Sequence, residues 1–211
     1  MLVALSTFAV FAFSGSAAEE KKDNWVCAWG TAPTQIGIDG YSNISAYVGD
    51  VTVRTVITPT ASGSKIRIKL SNIYGRQPLM LTRVTISKSV GGSRVIPEST
   101  KIITFNEGYQ YVTLPAGEEI YSDPVVFPVN ALEDKIAISM YAEKFTEITT
   151  MGLSGADSYL SFGGDQTSSE SLSLTSSMDN EQFLQVLKRL LGLGPSARLQ
   201  LYKGRSLPCK P

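Results

Sequence analysis

Apolar and polar residues alternate with a period of two over much of residues 52–141, the pattern of strands with one face in a core and the other in water. It is clearest in Lys65-Ile66-Arg67-Ile68-Lys69-Leu70, where Ile66, Ile68 and Leu70 would point inward and the three basic residues outward. The same alternation predicts strands at 52–58, 80–88, 101–105, 109–114 and 135–141, all rich in Val, Ile, Thr and Tyr. No run among them is long enough to suggest a helix. The joints carry turn chemistry: Ser62-Gly63, Tyr74-Gly75, Gly91-Gly92, Glu107-Gly108, Ala116-Gly117 and Ser122-Asp123-Pro124. Short strands with a turn about every 8 to 12 residues predict an all-β, antiparallel β-sandwich, jelly-roll-like, rather than a βαβ fold.

The pattern changes at both ends. A sandwich domain is expected over 24–166, followed by a Ser- and Thr-rich stretch at 167–179 that reads as a linker. In the tail, 180–211, the spacing of Phe183, Val186, Leu187, Leu190 and Leu191 predicts a helix over 180–193, capped by Asp179 or Asn180. The fold class thus carries a short helical or disordered C-terminal tail. Residues 178–211 hold six basic and two acidic side chains, and the close on Pro208-Cys209-Lys210-Pro211 also fits translation from a shifted frame. At the other end, the apolar run 1–13, the small residues Ser14-Gly15-Ser16-Ala17-Ala18 and the charged Glu19-Glu20-Lys21-Lys22 predict a signal peptide over 1–18. No basic residue precedes Leu2, so a start codon upstream is the alternative. The expected location is secreted or extracytoplasmic, with no membrane role beyond export, since the run is too short to span a bilayer.

Charge and composition narrow the chemistry. Nineteen basic and nineteen acidic residues give a formal net charge of zero, so there is no bulk attraction to nucleic acid. Of the two cysteines, Cys27 and Cys209 could pair, or Cys27 could stand alone as a buried thiol. Two cysteines without histidine fall short of a structural zinc site, and no acidic loop has calcium-binding spacing, so no metal and no cofactor is expected.

Several segments stand in a telling order. They are Trp25-Val26-Cys27-Ala28-Trp29-Gly30-Thr31-Ala32-Pro33, Val53-Arg54-Thr55-Val56 and Arg67-Ile68-Lys69-Leu70-Ser71-Asn72-Ile73-Tyr74-Gly75-Arg76-Gln77-Pro78-Leu79. The series continues with Ile96-Pro97, Phe105-Asn106, Val112-Thr113-Leu114-Pro115-Ala116-Gly117, Ser122-Asp123-Pro124-Val125 and Ile136-Ala137-Ile138-Ser139-Met140-Tyr141. It ends between Ser158-Tyr159-Leu160-Ser161 and Gln166-Thr167. This series resembles the amino-terminal β-domain of bacterial secreted SGNH/GDSL-type esterases. The resemblance implies a carboxylic-ester hydrolase whose Gly-Asp-Ser nucleophile block, aspartate and histidine lie in a separate α/β domain. These 211 residues contain no histidine, so a Ser-His-Asp relay cannot be assembled from them.

No catalytic residue is therefore assigned. Ser158, in Gly155-Ala156-Asp157-Ser158, lacks the buried strand before it and the helix after it that a nucleophile turn needs, and reads as an ordinary loop or strand serine. Gly163-Gly164-Asp165 reads as a tight turn. The carboxylate pairs Glu118-Glu119 and Glu133-Asp134 read as solvated turn residues, and a Ser-Lys dyad would need a desolvated lysine. The leading expectation is a non-catalytic accessory domain of a truncated or split esterase, with its catalytic domain as partner. The alternative is a free-standing carbohydrate-binding or adhesion sandwich, with Trp25, Trp29, Tyr41, Tyr47 and Tyr74 as ring candidates. The ligand or domain-interface residues expected are Trp25, Trp29, Arg54, Asn72 and Tyr74. A purely structural role for Arg54, Arg67 and Asn72 is the third reading, with Asn72 stabilising the turn into Tyr74-Gly75.

Overall fold

The structure, a computed structural model, describes residues 24–30, 33–35, 46–148, 150–152, 156–172 and 197–202. The signal-peptide segment, Tyr41, the expected helix at 180–193 with its caps and Cys209 lie outside the described residues. The strands in chain order are β1 (Trp25–Gly30), β2 (Pro33–Gln35), β3 (Ala46–Val48), β4 (Val51–Ile57), β5 (Gly63–Ser71) and β6 (Leu79–Leu81). Next come β7 (Arg83–Gly91), β8 (Arg94–Val95), β9 (Lys101–Ile102), β10 (Val112–Leu114), β11 (Glu119–Tyr121) and β12 (Val125–Val129). The series closes with β13 (Ile136–Ala142), β14 (Thr146–Ile148), β15 (Thr150–Gly152), β16 (Asp157–Phe162) and β17 (Ala197–Tyr202). Among the described residues a single 3-10 turn, Pro97–Ser99, interrupts them.

The fold is all-β and antiparallel, a sandwich of two sheets. In the first the order is β1-β17-β5, with β11 and β12 sharing the far side of β5. In the second it is β16-β4-β13-β7, with β8 and β9 along the outer side of β7. The alternation read in 65–70 is realised, because Ile66, Ile68 and Leu70 are buried while Lys65, Arg67 and Lys69 take the outer face. Their inward side chains join Leu199 and Leu201 of β17 and meet Val84, Ile86, Ile136, Ile138 and Met140 of the opposite sheet in one cluster. Fully burying each such aliphatic side chain stabilises the fold by roughly 1.5–3 kcal/mol. The β6–β10 pair adds Leu79, Leu81, Val112 and Leu114 to the same core. Pro128 sits where β12 loses register against β5, between Val126 and Val129, the edge position a residue without an N–H requires.

Two features differ from the sequence expectations. The sandwich does not end at residue 166, because β17, from the segment expected as a tail, lies between β1 and β5 and pairs with both. Its Leu199 and Leu201 are fully buried and its Gln200 lies on the opposite face, the same period of two as elsewhere. Residues 167–172, expected to begin a linker, instead lie against the second sheet, with Thr167 and Leu172 buried.

That covering explains the second difference. The outer face of the second sheet, which alternation assigns to water, is a buried polar layer: Thr52, Arg54, Thr85, Ser87, Ser139 and Ser161 are all inaccessible to solvent. A polar layer survives burial only when its donors and acceptors are matched. Thr85 Oγ1 donates to Thr167 O at 2.9 Å, and Ser87 Oγ meets Thr100 Oγ1 at 2.8 Å. Thr52 Oγ1 donates to Gly164 O at 3.2 Å and accepts from Gln166 N at 3.0 Å.

Candidate functional site

Arg54 stands at the centre of this polar layer. Its Nε donates to Ser139 Oγ at 2.8 Å, and Nη1 donates to Ser93 O at 2.6 Å and to Glu170 O at 3.5 Å. Nη2 reaches three further carbonyls, Gln166 O at 3.3 Å, Thr167 O at 3.2 Å and Ser169 O at 2.8 Å. A guanidinium suits the task because its five N–H groups form a fixed fork. Burial lowers its pKa to about 10, which leaves it charged at neutral pH. Arg54, expected as a ligand or interface residue at the surface, is thus an internal clasp that ties residues 166–170 onto β4.

Asn72 works in the same way at the end of β5. Its Nδ2 donates to Gln77 O at 3.0 Å, Leu114 O at 3.2 Å and Pro115 O at 3.2 Å. Its backbone N–H donates to Glu118 O, and its carbonyl accepts from Gly75 N and Gly117 N. One residue therefore joins the Leu-Ser-Asn-x-Tyr-Gly turn to the Pro-Ala-Gly turn. Gly75 is obligatory for a steric reason, since a Cβ there would collide with the Asn72 carboxamide, and that group is buried and anchored. With Asn72 turned inward, Ile73 and Tyr74 are left exposed beside it. Asn72→Ala removes the donor while leaving these carbonyls in place, and is expected to lower stability by about 2 kcal/mol, measurable as a shift of the urea midpoint at unchanged slope.

A third clasp was not anticipated as a site. The Asp123 carboxylate accepts from Thr104 Oγ1 at 2.7 Å, Glu107 N at 3.0 Å and Gly108 N at 2.8 Å. It holds a turn in which Asn106 and Glu107 both have positive φ, 49° and 65°, a conformation that non-glycine residues adopt at a cost. Burial pushes the Asp123 carboxyl up, but the three hydrogen bonds outweigh it and hold the group below the ordinary carboxylate range. Because the folded state binds its proton less readily than the unfolded chain, this contribution to stability is present above the unfolded pKa of about 3.9 and is lost as pH falls through the folded value. Urea titrations between neutral pH and acid should show an acid loss of stability that is shallower in Asp123→Asn. An identical acid limb in the variant would exclude the linkage.

The tryptophan pair is separated by a β-bulge. Register shifts between Cys27 and Trp29, so Cys27 lies opposite Gln200 and Trp29 opposite Leu199. The inserted Ala28 is fully buried, and its carbonyl accepts from both Thr60 N and Thr60 Oγ1 at 2.8 Å. Without the bulge, residues 25, 27 and 29 would share one face; with it, Trp29 packs on the core and Trp25 stays outside. Cys27 is exposed on that outer face, not buried, and its Sγ lies 3.5 Å from Trp29 O. Tyr47 lies in β3.

Trp25 joins a surface cluster. The guanidinium of Arg67 lies 4.4 Å from the Trp25 ring centroid and 4.7 Å from that of Tyr121, so a cation stands between two rings. Arg67 Nε donates to Gln200 Oε1 at 2.7 Å, and Lys69 forms an ion pair with Glu119. The expected residues therefore do not converge: Trp25 is on the outer face of the first sheet, Trp29 is partly buried against the core, Arg54 is in the polar layer, and Asn72 with Tyr74 is at a turn.

No family model matches the chain, and no curated protein matches it.

Most of the remaining candidates for chemistry have structural partners. Ser158 lies in β16, almost buried, with its Oγ 3.2 Å from Thr55 Oγ1, and the flanking strand is no nucleophile turn. Gly163 and Gly164 adopt positive φ, 86° and 110°, in the turn that brings Asp165 Oδ1 to Thr167 N and Oγ1. Of the carboxylate pairs, Glu119 pairs with Lys69, while Asp134 pairs with Lys88 at 2.6 Å and accepts from Asn130 N at 2.7 Å. Tyr141 donates to Asp50 Oδ1 at 2.8 Å; burial, then that hydrogen bond and the charges of Asp50, Glu143 and Asp165, push its phenol up to about 12. Among the described residues no group of three His, Cys, Asp or Glu side chains is placed to hold a metal ion.

Proposed function

We propose that this chain is the non-catalytic accessory β-sandwich of a secreted carboxylic-ester hydrolase of the SGNH/GDSL type, with the hydrolytic residues supplied by a domain outside these 211 residues. The reading rests on the ordered motif series. One observation carries it: three pairs of the segments are each brought together by a single polar side chain. Arg54 joins Val53-Arg54-Thr55-Val56 to Gln166-Thr167, Asn72 joins the Leu-Ser-Asn-x-Tyr-Gly and Pro-Ala-Gly turns, and Asp123 joins Ser122-Asp123-Pro124 to Thr104, Glu107 and Gly108, which flank Phe105-Asn106. Residues used in this way maintain a scaffold and perform no chemistry. Ile73 and Tyr74, exposed on the Asn72 turn, are the surface offered to the catalytic domain.

The test is to read the gene across the codons for residues 176–211 and onward, and to assay aryl-acetate hydrolysis by this chain and by any longer product. A Gly-Asp-Ser block and a later Asp-x-x-His, with hydrolysis confined to the longer product, is the expected result. Downstream sequence lacking both in every frame would overturn the reading. The alternative, a free-standing carbohydrate-binding or adhesion module, would then lead, favoured by the surface ring cluster at Trp25 and Tyr121.

A further inference from the structure

The outer face of the first sheet is built more specifically than a solvated surface requires. Along β5 three cations, Lys65, Arg67 and Lys69, project from one face at alternate positions, about 7 Å apart. The acid ion-paired on this row is Glu119, and it holds Lys69. Lys69 also lies 5.7 Å from the Tyr121 ring centroid, while Arg67 is held by three side chains. Trp25 lies against one ring-to-cation contact at 4.4 Å, Tyr121 against another at 4.7 Å, and Gln200 accepts from Nε at 2.7 Å. Three strands, β1, β17 and β11, thus contribute one residue each to fix a single guanidinium. No described residue accepts a hydrogen bond from its Nη1 or Nη2. A planar fork held in this way has already lost the rotamer freedom that an arginine usually loses on binding, and its two terminal nitrogens match the two oxygens of a carboxylate. Tyr121, 42% exposed, stands beside the fork with apolar ring surface of the kind that packs on the C–H face of a sugar.

We infer that this face binds an acidic polysaccharide, with the carboxylate of a uronate unit on the Arg67 fork and the sugar ring against Tyr121. Lys65, to one side of Arg67, meets the next carboxylate along the polymer. The site needs only the first sheet, so it stands or falls separately from the accessory-domain proposal.

The experiment is affinity electrophoresis of the folded chain through gels containing polygalacturonate, fully methyl-esterified polygalacturonate or dextran sulfate. Polygalacturonate is expected to retard the chain. The ester, which keeps the sugar and loses the charge, should not, and dextran sulfate at equal charge density should retard it less. Arg67→Lys, which keeps the charge and loses the fork, should weaken retardation at least tenfold, and Tyr121→Ala severalfold. Arg94→Lys, an exposed cation on the other sheet, should change nothing. Absence of retardation by polygalacturonate, equal retardation by the ester or by dextran sulfate, or an Arg67→Lys chain that binds like the parent would each overturn the inference. The ester comparison uses the unaltered chain, so it remains decisive if a variant does not fold.

Discussion

Arg54→Met should lower the stability of the domain by about 3–5 kcal/mol, the largest loss expected from any single polar substitution in this chain. Methionine fills much of the same volume but offers no donors, so the carbonyls of Ser93, Gln166, Thr167, Ser169 and Glu170 lose their common partner, and Ser139 loses its own. Each buried acceptor left unmatched costs about 1–3 kcal/mol, reduced where water can enter. In a domain of this size the sum corresponds to a melting temperature lower by roughly 10 °C. The loss also has a location. Hydrogen exchange should accelerate at Val95 N, which donates to Glu170 O, and at Gln166 N, which donates to Thr52 Oγ1, before it does in β13. Arg54→Lys restores the charge but not the fork and should recover only part of the loss. A methionine variant within 1 kcal/mol of the parent would show that residues 163–172 are held by something other than Arg54.

Leu199→Ala is expected to cost about 3 kcal/mol, by lost transfer energy and the cavity left between β1 and β5. The prediction discriminates sharply, because a shifted-frame or linker-like tail would tolerate alanine with no measurable effect. Gln200→Ala is the matched control on the opposite face. It removes a hydrogen bond to Arg67 but no core volume and should shift the urea midpoint far less. If the two variants were equally neutral, β17 would have no part in the sheet in solution.

How much of this could be read from sequence depended on what covers each face. The period of two in 65–70 and 135–141 located strands and their core residues correctly, since one face of each meets the apolar core. The same reasoning fails for 52–56, where Thr52 and Arg54 look solvent-facing yet are buried, because the covering residues 163–171 are polar or glycine and leave no apolar signature. β17 was legible in principle, since Leu199 and Leu201 alternate with Gln200, but six residues beside a stretch of mixed Leu, Gly and Pro carry little signal alone. Of the site residues, Asn72 was assigned to its turn from local chemistry. Its grip on Leu114 and Pro115 was not, because contacts across forty residues have no local trace. The Trp25–Arg67–Tyr121 row was out of reach for the same reason: Trp25 comes near Arg67 only across β17. The bulge at Ala28 similarly reverses what spacing alone says about Trp29.

The position of β17 also sets the order of events during synthesis. β1 is the first described strand to leave the ribosome and β17 the last, yet they are neighbours, and β5 is bound on the other side of the same late strand. Until residue 202 has emerged, β1 has no partner in its sheet, and β5 presents an open row of N–H and C=O groups above exposed Ile66 and Ile68. The second sheet, made wholly of strands between 51 and 162, has no such dependence and is free to form first. Assembly therefore ends with a long-range insertion that is slow by topology, and the nascent chain carries an adhesive groove while it waits.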